Sequence, residues 1–389
     1  MPDPLPFDQR FLLRDGVARD VFAAIAGLPI IDYHSHLDPA QLAADQPVAN
    51  LTRLWLVDGH YGDHYKWRLM RANGVPEDLI TGDADDYAKF EAFCATLARA
   101  IGNPVYEWSH LELRRYFDCD AAISAATAPQ IWERANALLA TPEFRPRAIV
   151  GRSNVEVVVT TDDPLDDLSA HSALATAPFR VVPAFRPDRF LAIGDPGFPA
   201  YVERAAAVTG RGLDSFAALV EAIGQRMEFF HARGGRLSDH ALDTFHHTPA
   251  PPADVDAVLR RRLSGVTLSA AEVGVFQTAL LRELIGLNRD LGWTAQLHLG
   301  AARGQNLPGT AALGRDTGYD SIGTQPDLAD NLRRFLQDVH AAGRLSPLVV
   351  YPLNPADWPV IATLLGNFQS GRRLQLGAAW WFNDHWAGI

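Results

Sequence analysis

Cysteine is nearly missing from this sequence, with two residues, Cys94 and Cys119, in 389. Two thiols cannot build a disulfide framework, and nothing stands at zinc-finger spacing from them, so a reducing cytoplasm is the expected compartment. A cationic excess is also missing. Thirty-five Lys and Arg face 46 Asp and Glu, for a net charge of −11. That balance excludes nucleic acid as the partner, because phosphate binding needs a basic face. No apolar run approaches the roughly 20 residues that span a bilayer, which speaks against a membrane partner. The opening MPDPLPFDQRFLL has no basic region ahead of an apolar core, so it does not read as a signal peptide. Internal repeats are lacking, and the Gly-, Pro- and Ala-rich pieces at 192–200 and 248–254 read as loops rather than linkers. What is present is ordinary for a globular protein: 48% apolar and 21% charged residues. The length suits one large α/β barrel with insertions or two ordinary domains.

The organising stretch is Leu28–Leu37, in which apolar residues lead into His34-Ser35-His36. Alternate side chains of a strand point the same way, so His34 and His36 are expected to project together. Two imidazoles so placed can hold one divalent cation; otherwise they are only the polar end of a strand. Residues 7–26 read as a short amphipathic helix, with Phe11, Leu12, Val17, Val21, Phe22 and Ile25 on its apolar side. Residues 38–150 carry helical periodicity without a convincing strand, too long for a loop, and read as a helical insertion over a barrel mouth. Apolar segments then recur at 155–161, 180–185, 236–240, 293–299, 345–353 and 374–382, each with a polar C-terminal end and with helical patterns in most gaps. Alternating β and α with buried strands means a parallel sheet. Polar ends on so many strands favour a (β/α)₈ TIM-type barrel, whose active site sits at those ends. Seven strands are countable, counting the first. An eighth is either hidden in 189–235 or missing from the chain. One domain, 1–389, is expected.

Several residues at those ends carry chemistry and a plainer alternative. His298, in QLHLGA, is a shared site residue or a packed, hydrogen-bonded histidine. The fork of Arg186, in AFRPD, suits a carboxylate, or pairs with Asp188 or Asp162. Asp162-Asp163 before Pro164 favours a turn over metal ligation. Asp239-His240 is a site pair or a helix cap. Within Trp380-Trp381-Phe382 the aromatics are core, or Trp381 walls a sugar site. The Tyr65 hydroxyl is an acid or base lowered into the mouth, or the tip of a surface aromatic. Together these residues describe a metal-dependent barrel enzyme acting on a small polar substrate.

The motifs IIDYHSHL, HYKWRLMRANGV, WSHLELRR, TTDDP, PAFRPD, SDHAL, QLHLGA, DSI, LNP and AWWFND resemble the uronate isomerases of the amidohydrolase superfamily, from about residue 5 to the C-terminus. HxH alone would specify only the superfamily; the ordered set is far more specific. The resemblance implies aldose–ketose interconversion of D-glucuronate with D-fructuronate and of D-galacturonate with D-tagaturonate. It makes His34 and His36 ligands of a divalent cation, commonly zinc, and puts His298 near the metal. It makes Tyr65 the acid–base residue and gives Arg186 the substrate; His240 and Trp381, at the strand ends, are expected as further substrate contacts. It leaves room for a homo-oligomer. Two departures stand out. The segment Val57–Gly62 is longer than the family connection, offering His60 or Tyr61 as competitors of Tyr65. The family's eighth strand with its D-S-R motif has no counterpart before Ile389, so the barrel is expected to lack one wall. The rival readings are a metal-dependent hydrolase or decarboxylase on the same scaffold, and an inactive uronate-binding protein.

Overall fold

A computed structural model describes residues 11–58, 61–369 and 374–388. Among the described residues seven strands form one sheet: β1 Ile30–Asp32, β2 Val155–Asp162, β3 Arg180–Phe185, β4 Leu237–Leu242, β5 Thr294–Leu299, β6 Leu348–Pro352 and β7 Leu374–Leu376. They are joined in sequence order from β1 to β7, and every junction is parallel. The result is a parallel half-barrel of α/β type. Helices fill the crossovers, as parallel neighbours require. The longest, Ala270–Leu291, starts at a capping box between Ser269 and Glu272. It stops at Gly292, whose φ of +70° suits a residue without Cβ. Trp293 then enters β5 fully buried.

The 189–235 region holds helices Phe198–Thr209 and Phe216–His231 rather than a hidden strand. Two strands are shorter than their apolar patterns. The Leu28–Leu37 segment is extended and paired only over Ile30–Asp32, so His34 and His36 lie just beyond the strand. The 374–382 segment pairs only to Leu376, and Trp381–Asn383 is a 3₁₀ turn. The N-terminal helix spans Gly16–Ile25, with residues 1–10 outside the described part, and it buries none of its residues.

Between β1 and β2 lie seven α-helices, from Pro39–Ala44 to Pro146–Arg152, and a small antiparallel hairpin, Val57–Asp58 with Tyr61–Gly62, which the helical periodicity had hidden. This insertion has its own buried cluster, running from Leu51 through Phe90, Phe93, Leu113 and Ile131 to Phe144. A larger cluster lies in the barrel and its surrounding helices. Where they meet, Tyr65 packs against a third, small cluster of Ala301, Leu353 and Trp381. No described helix is long and apolar enough to cross a membrane.

Candidate active site

The β4–β5 pair supplies the most buried part of the site. Asp239 and Gln296 are register partners, and the following inward residue of β5 is His298. Asp239 has 0% exposure, and His298 Nδ1 lies 2.8 Å from its Oδ1. Arg186, just past β3, places Nε 3.6 Å from Asp239 Oδ2 and 2.8 Å from Asp188 Oδ2. His34 Nδ1 stands 3.9 Å from Asp239 Oδ1. Burial alone would favour a neutral carboxyl, but the contact with His298 and the nearby Arg186 hold Asp239 well below the usual carboxylate range. His34 is lowered as well, but by a different cause: burial, with help from His298, His36 and Arg186, pushes it down to about 4 against the pull of Asp239. It is a neutral imidazole at pH 7, the form a metal requires.

His34, Asp239 and His298 each offer a ligand atom, all within 4.8 Å of one another. Neither carboxylate oxygen of Asp239 is in an aligned hydrogen bond, although both are buried. An anionic oxygen pair left so, between two imidazoles, fits a divalent cation. The donors also point to the correct chemistry, since neutral histidine with carboxylate is a usual set for such ions. His36 stands outside the tight trio. Its ring lies 5.0 Å from that of His34, and its Nδ1 is 3.4 Å from Thr161 Oγ1.

The insertion supplies the opposite wall. Asp63 caps helix His64–Ala72, accepting from the N–H groups of Tyr65 and Lys66, and so fixes where Tyr65 points. Tyr65 stacks on His64 at 4.8 Å and meets the edges of Trp381 and Phe382 at 6.2 Å each. Trp380 continues the row to His298, ring to ring at 4.8 Å. His64 is near enough to His36 to depress its basicity, after burial and Arg186. The insertion and the strand ends therefore share one mouth. Burial, with Asp384 and Asp63 close by, raises the Tyr65 phenol far above its ordinary value. Asp384 is itself pushed up to about 6 by partial burial.

Not every sequence candidate reaches the mouth. His240 is fully buried, and its Nε2 lies 2.9 Å from Ser238 Oγ, two residues back on the same face. The pleat sends Ser238 and His240 to the side opposite Asp239, so the structure gives His240 a packing role instead of a substrate contact. Asp162 is buried against Thr160, 2.7 Å away, and His171, 3.7 Å away, behind β2. Asp163 caps the turn by accepting from the Leu165 N–H. Asp163 follows the turn-forming alternative, while Asp162 packs behind its own strand. His60 and the side chain of Tyr61 lie outside the described part. The sequence reading passed over His64 and Arg303. Arg303 holds Asp243, Asp316 and Asp320 at 3.2–3.3 Å while its guanidinium sits 5.2 Å above the Trp381 ring. An arginine 78 positions from its aromatic partner in sequence has no local signal.

Residues 6–389 match the glucuronate isomerase family, UxaC. The chain belongs to that family. It is 45% identical to a uronate isomerase of Latilactobacillus sakei, over 98% of this chain and 83% of the relative. It is 45% identical to one of Lactococcus lactis, over 97% of this chain and 80% of the relative. In three dimensions it is similar to the uronate isomerase of Thermotoga maritima, with a TM-score of 0.91 and 32% identity, over 98% of this chain and 82% of that one. These alignments support a family enzyme of isomerase type. They do not bear out the expectation of a missing C-terminal part, and an absent eighth strand is not confirmed by them.

Proposed function

We propose that this uronate isomerase family enzyme interconverts D-glucuronate with D-fructuronate and D-galacturonate with D-tagaturonate. The observation that carries the reading is the shared mouth: strand-end histidines, an arginine and an insertion tyrosine meet in a chain of that family. The reaction takes the proton from C2, returns one to C1, and moves a proton from the C2 oxygen to the C1 oxygen. It needs a base near C2 and a donor near O1.

Tyr65 is assigned the donor's place. A phenol whose ionisation is so disfavoured keeps its proton at neutral pH, so it stabilises charge growing on the carbonyl oxygen by donating a hydrogen bond. Asp384 is assigned the base. Its value of about 6 leaves it mostly ionised at pH 7 yet basic enough to accept a proton. Arg186 takes the substrate carboxylate with its guanidinium, oriented through Nε by Asp188 and Asp239. His298 is held with Nδ1 2.8 Å from Asp239 Oδ1. His34, Asp239 and His298, with His36 beside them, would hold a divalent cation, with zinc as the proposed occupant. Such an ion supplies positive charge for the substrate oxygens. The buried free thiols fit a cytoplasmic setting.

The test is to supply the purified protein with zinc and follow ketouronate formation from each aldouronate, alongside Arg186→Met. The wild type should turn over both sugars, and the variant should lose about 2–5 kcal/mol of transition-state stabilisation. Failure of the wild type to form a ketouronate from either sugar would reject the proposal.

A further inference from the structure

Gln296 is a buried amide one step beneath the proposed cation site. It is 1% exposed and, two residues before His298 on β5, faces the same way. Its side chain reaches the segment after β1: Nε2 donates to the Tyr33 carbonyl at 3.1 Å, joining residues 263 positions apart. Its Oε1 accepts from the Tyr351 hydroxyl at 3.2 Å. A carbonyl can only accept, so the amide NH₂ faces Tyr33 and the amide oxygen faces Tyr351. Tyr351, on β6, is the register partner of His298. Its ring lies parallel to the imidazole, with 4.5 Å between centroids and 5° between planes. The same ring presses on Gly377, where an added Cβ would lie 2.0 Å from Tyr351 Cδ1. Only a residue without Cβ lets the tyrosine ring take that place.

We propose that Gln296 is a positioning residue that keeps His34 in register with His298, with Tyr351 as the group that orients its amide. The inference rests on the cation assignment made above and adds to it. The Tyr33 carbonyl belongs to the peptide unit whose N–H is that of His34. Gripping it therefore fixes the plane from which the His34 side chain departs. On the β2 side the segment is tied through Ser35, whose N–H and Oγ donate to the Val159 carbonyl at 3.0 and 3.1 Å. Gln296 supplies the tie from β5, the strand that carries His298. The rings of His34 and His298 lie 4.6 Å apart, and ligands of one ion must hold their distances to about 0.2 Å. Packing alone does not call for glutamine here. Its chain neighbours Ala295 and Leu297 are fully buried, and an apolar side chain would fill the space without an amide to desolvate.

The experiment measures zinc affinity by competition with a chromophoric chelator in wild type, Gln296→Leu and Tyr351→Phe. Gln296→Leu should bind zinc roughly ten- to a hundredfold more weakly, the usual consequence of losing a group that orients a metal ligand. Tyr351→Phe keeps the ring on His298 and removes only the hydroxyl, so a loss of about three- to tenfold is expected. A second readout needs no metal. In cation-free Gln296→Leu, hydrogen exchange at the Ser35 amide should quicken while the β5 amides keep their protection. A residue that only packs would lower the melting temperature and leave zinc affinity and the Ser35 amide as they were. Unchanged zinc affinity in folded Gln296→Leu, or in Tyr351→Phe where the first does not fold, overturns the proposal and leaves the isomerase reading intact. A wild type that binds no zinc overturns the proposal and the cation assignment together.

Discussion

Strands β5 and β1 both lead into histidines of the site, but they sit in opposite surroundings. From Ala295 to Leu299, β5 is buried at every position, between β4 and β6. Among the described residues β1 pairs on one side only, with β2, and Ile30 and Ile31 are 50% and 51% exposed. The helix ahead of β1 leaves Val17, Val21, Phe22 and Ile25 exposed as well. His298 therefore stands on a rigid support, with Nδ1 beside Asp239. His34 and His36 stand on a three-residue strand and the extended segment behind it, tied by Ser35 to the Val159 carbonyl. One half of the proposed cation site is set by the core, and the other half by a segment with few buried contacts. Local opening belongs to the second half.

The largest expected effect tests the rigid half. Asp239→Ala leaves the Arg186 cation in the mouth with one counter-charge fewer and His298 without the carboxylate beside its Nδ1. It should cost about 3–5 kcal/mol of stability, the range for breaking a buried charge pair, and should abolish turnover. Chemical denaturation checks the first and an isomerase assay the second. An Asp239→Ala protein of wild-type stability would mean that the ion pairs around it contribute nothing to folding.

Next is the contrast between the two strands. Leu297→Ala in β5 should lose about 2–5 kcal/mol as a core truncation. Ile31→Ala in β1 should lose well under half as much, because half of that side chain is already in water. Equal midpoint shifts in urea would show that β1 is covered in solution. Metal dependence offers a further cut. His34→Ala should leave the melting temperature of cation-free protein nearly unchanged and remove the stabilisation that added zinc confers on wild type. A thermal scan at several zinc concentrations reads it.

The smallest effect is a pH profile. Asp384 is raised from its ordinary value to about 6, so below that pH the proposed base is protonated. kcat/KM should climb as pH rises through about 6 and level off above it, and Asp384→Asn should remove that limb. For stability the sign is opposite: a raised folded-state carboxyl binds protons the unfolded chain has already released, so its contribution becomes less favourable as pH rises from about 4 to about 6.

The sequence by itself determined the sheet and most of what borders the mouth. Buried parallel strands are apolar runs with polar ends, so β2 to β6 were legible, and with them His298 and Arg186 at their C-terminal ends. The HSH spacing and the insertion motif around Tyr65 were legible for the same reason, since a local pattern carries them. Tertiary structure alone decided which face each polar residue took and who its neighbours were. A one-residue step along β4 separates Asp239, the charged centre of the site, from His240, a packed residue, and SDH reads the same either way. The extent of β1 and β7 was also decided in three dimensions, because an apolar segment is a strand only as far as a neighbour pairs with it. The contact of Arg303 with Trp381 joins residues 78 positions apart. No local propensity encodes such a contact. It exists because the half-barrel brings the loops after β5 and β7 to the same end.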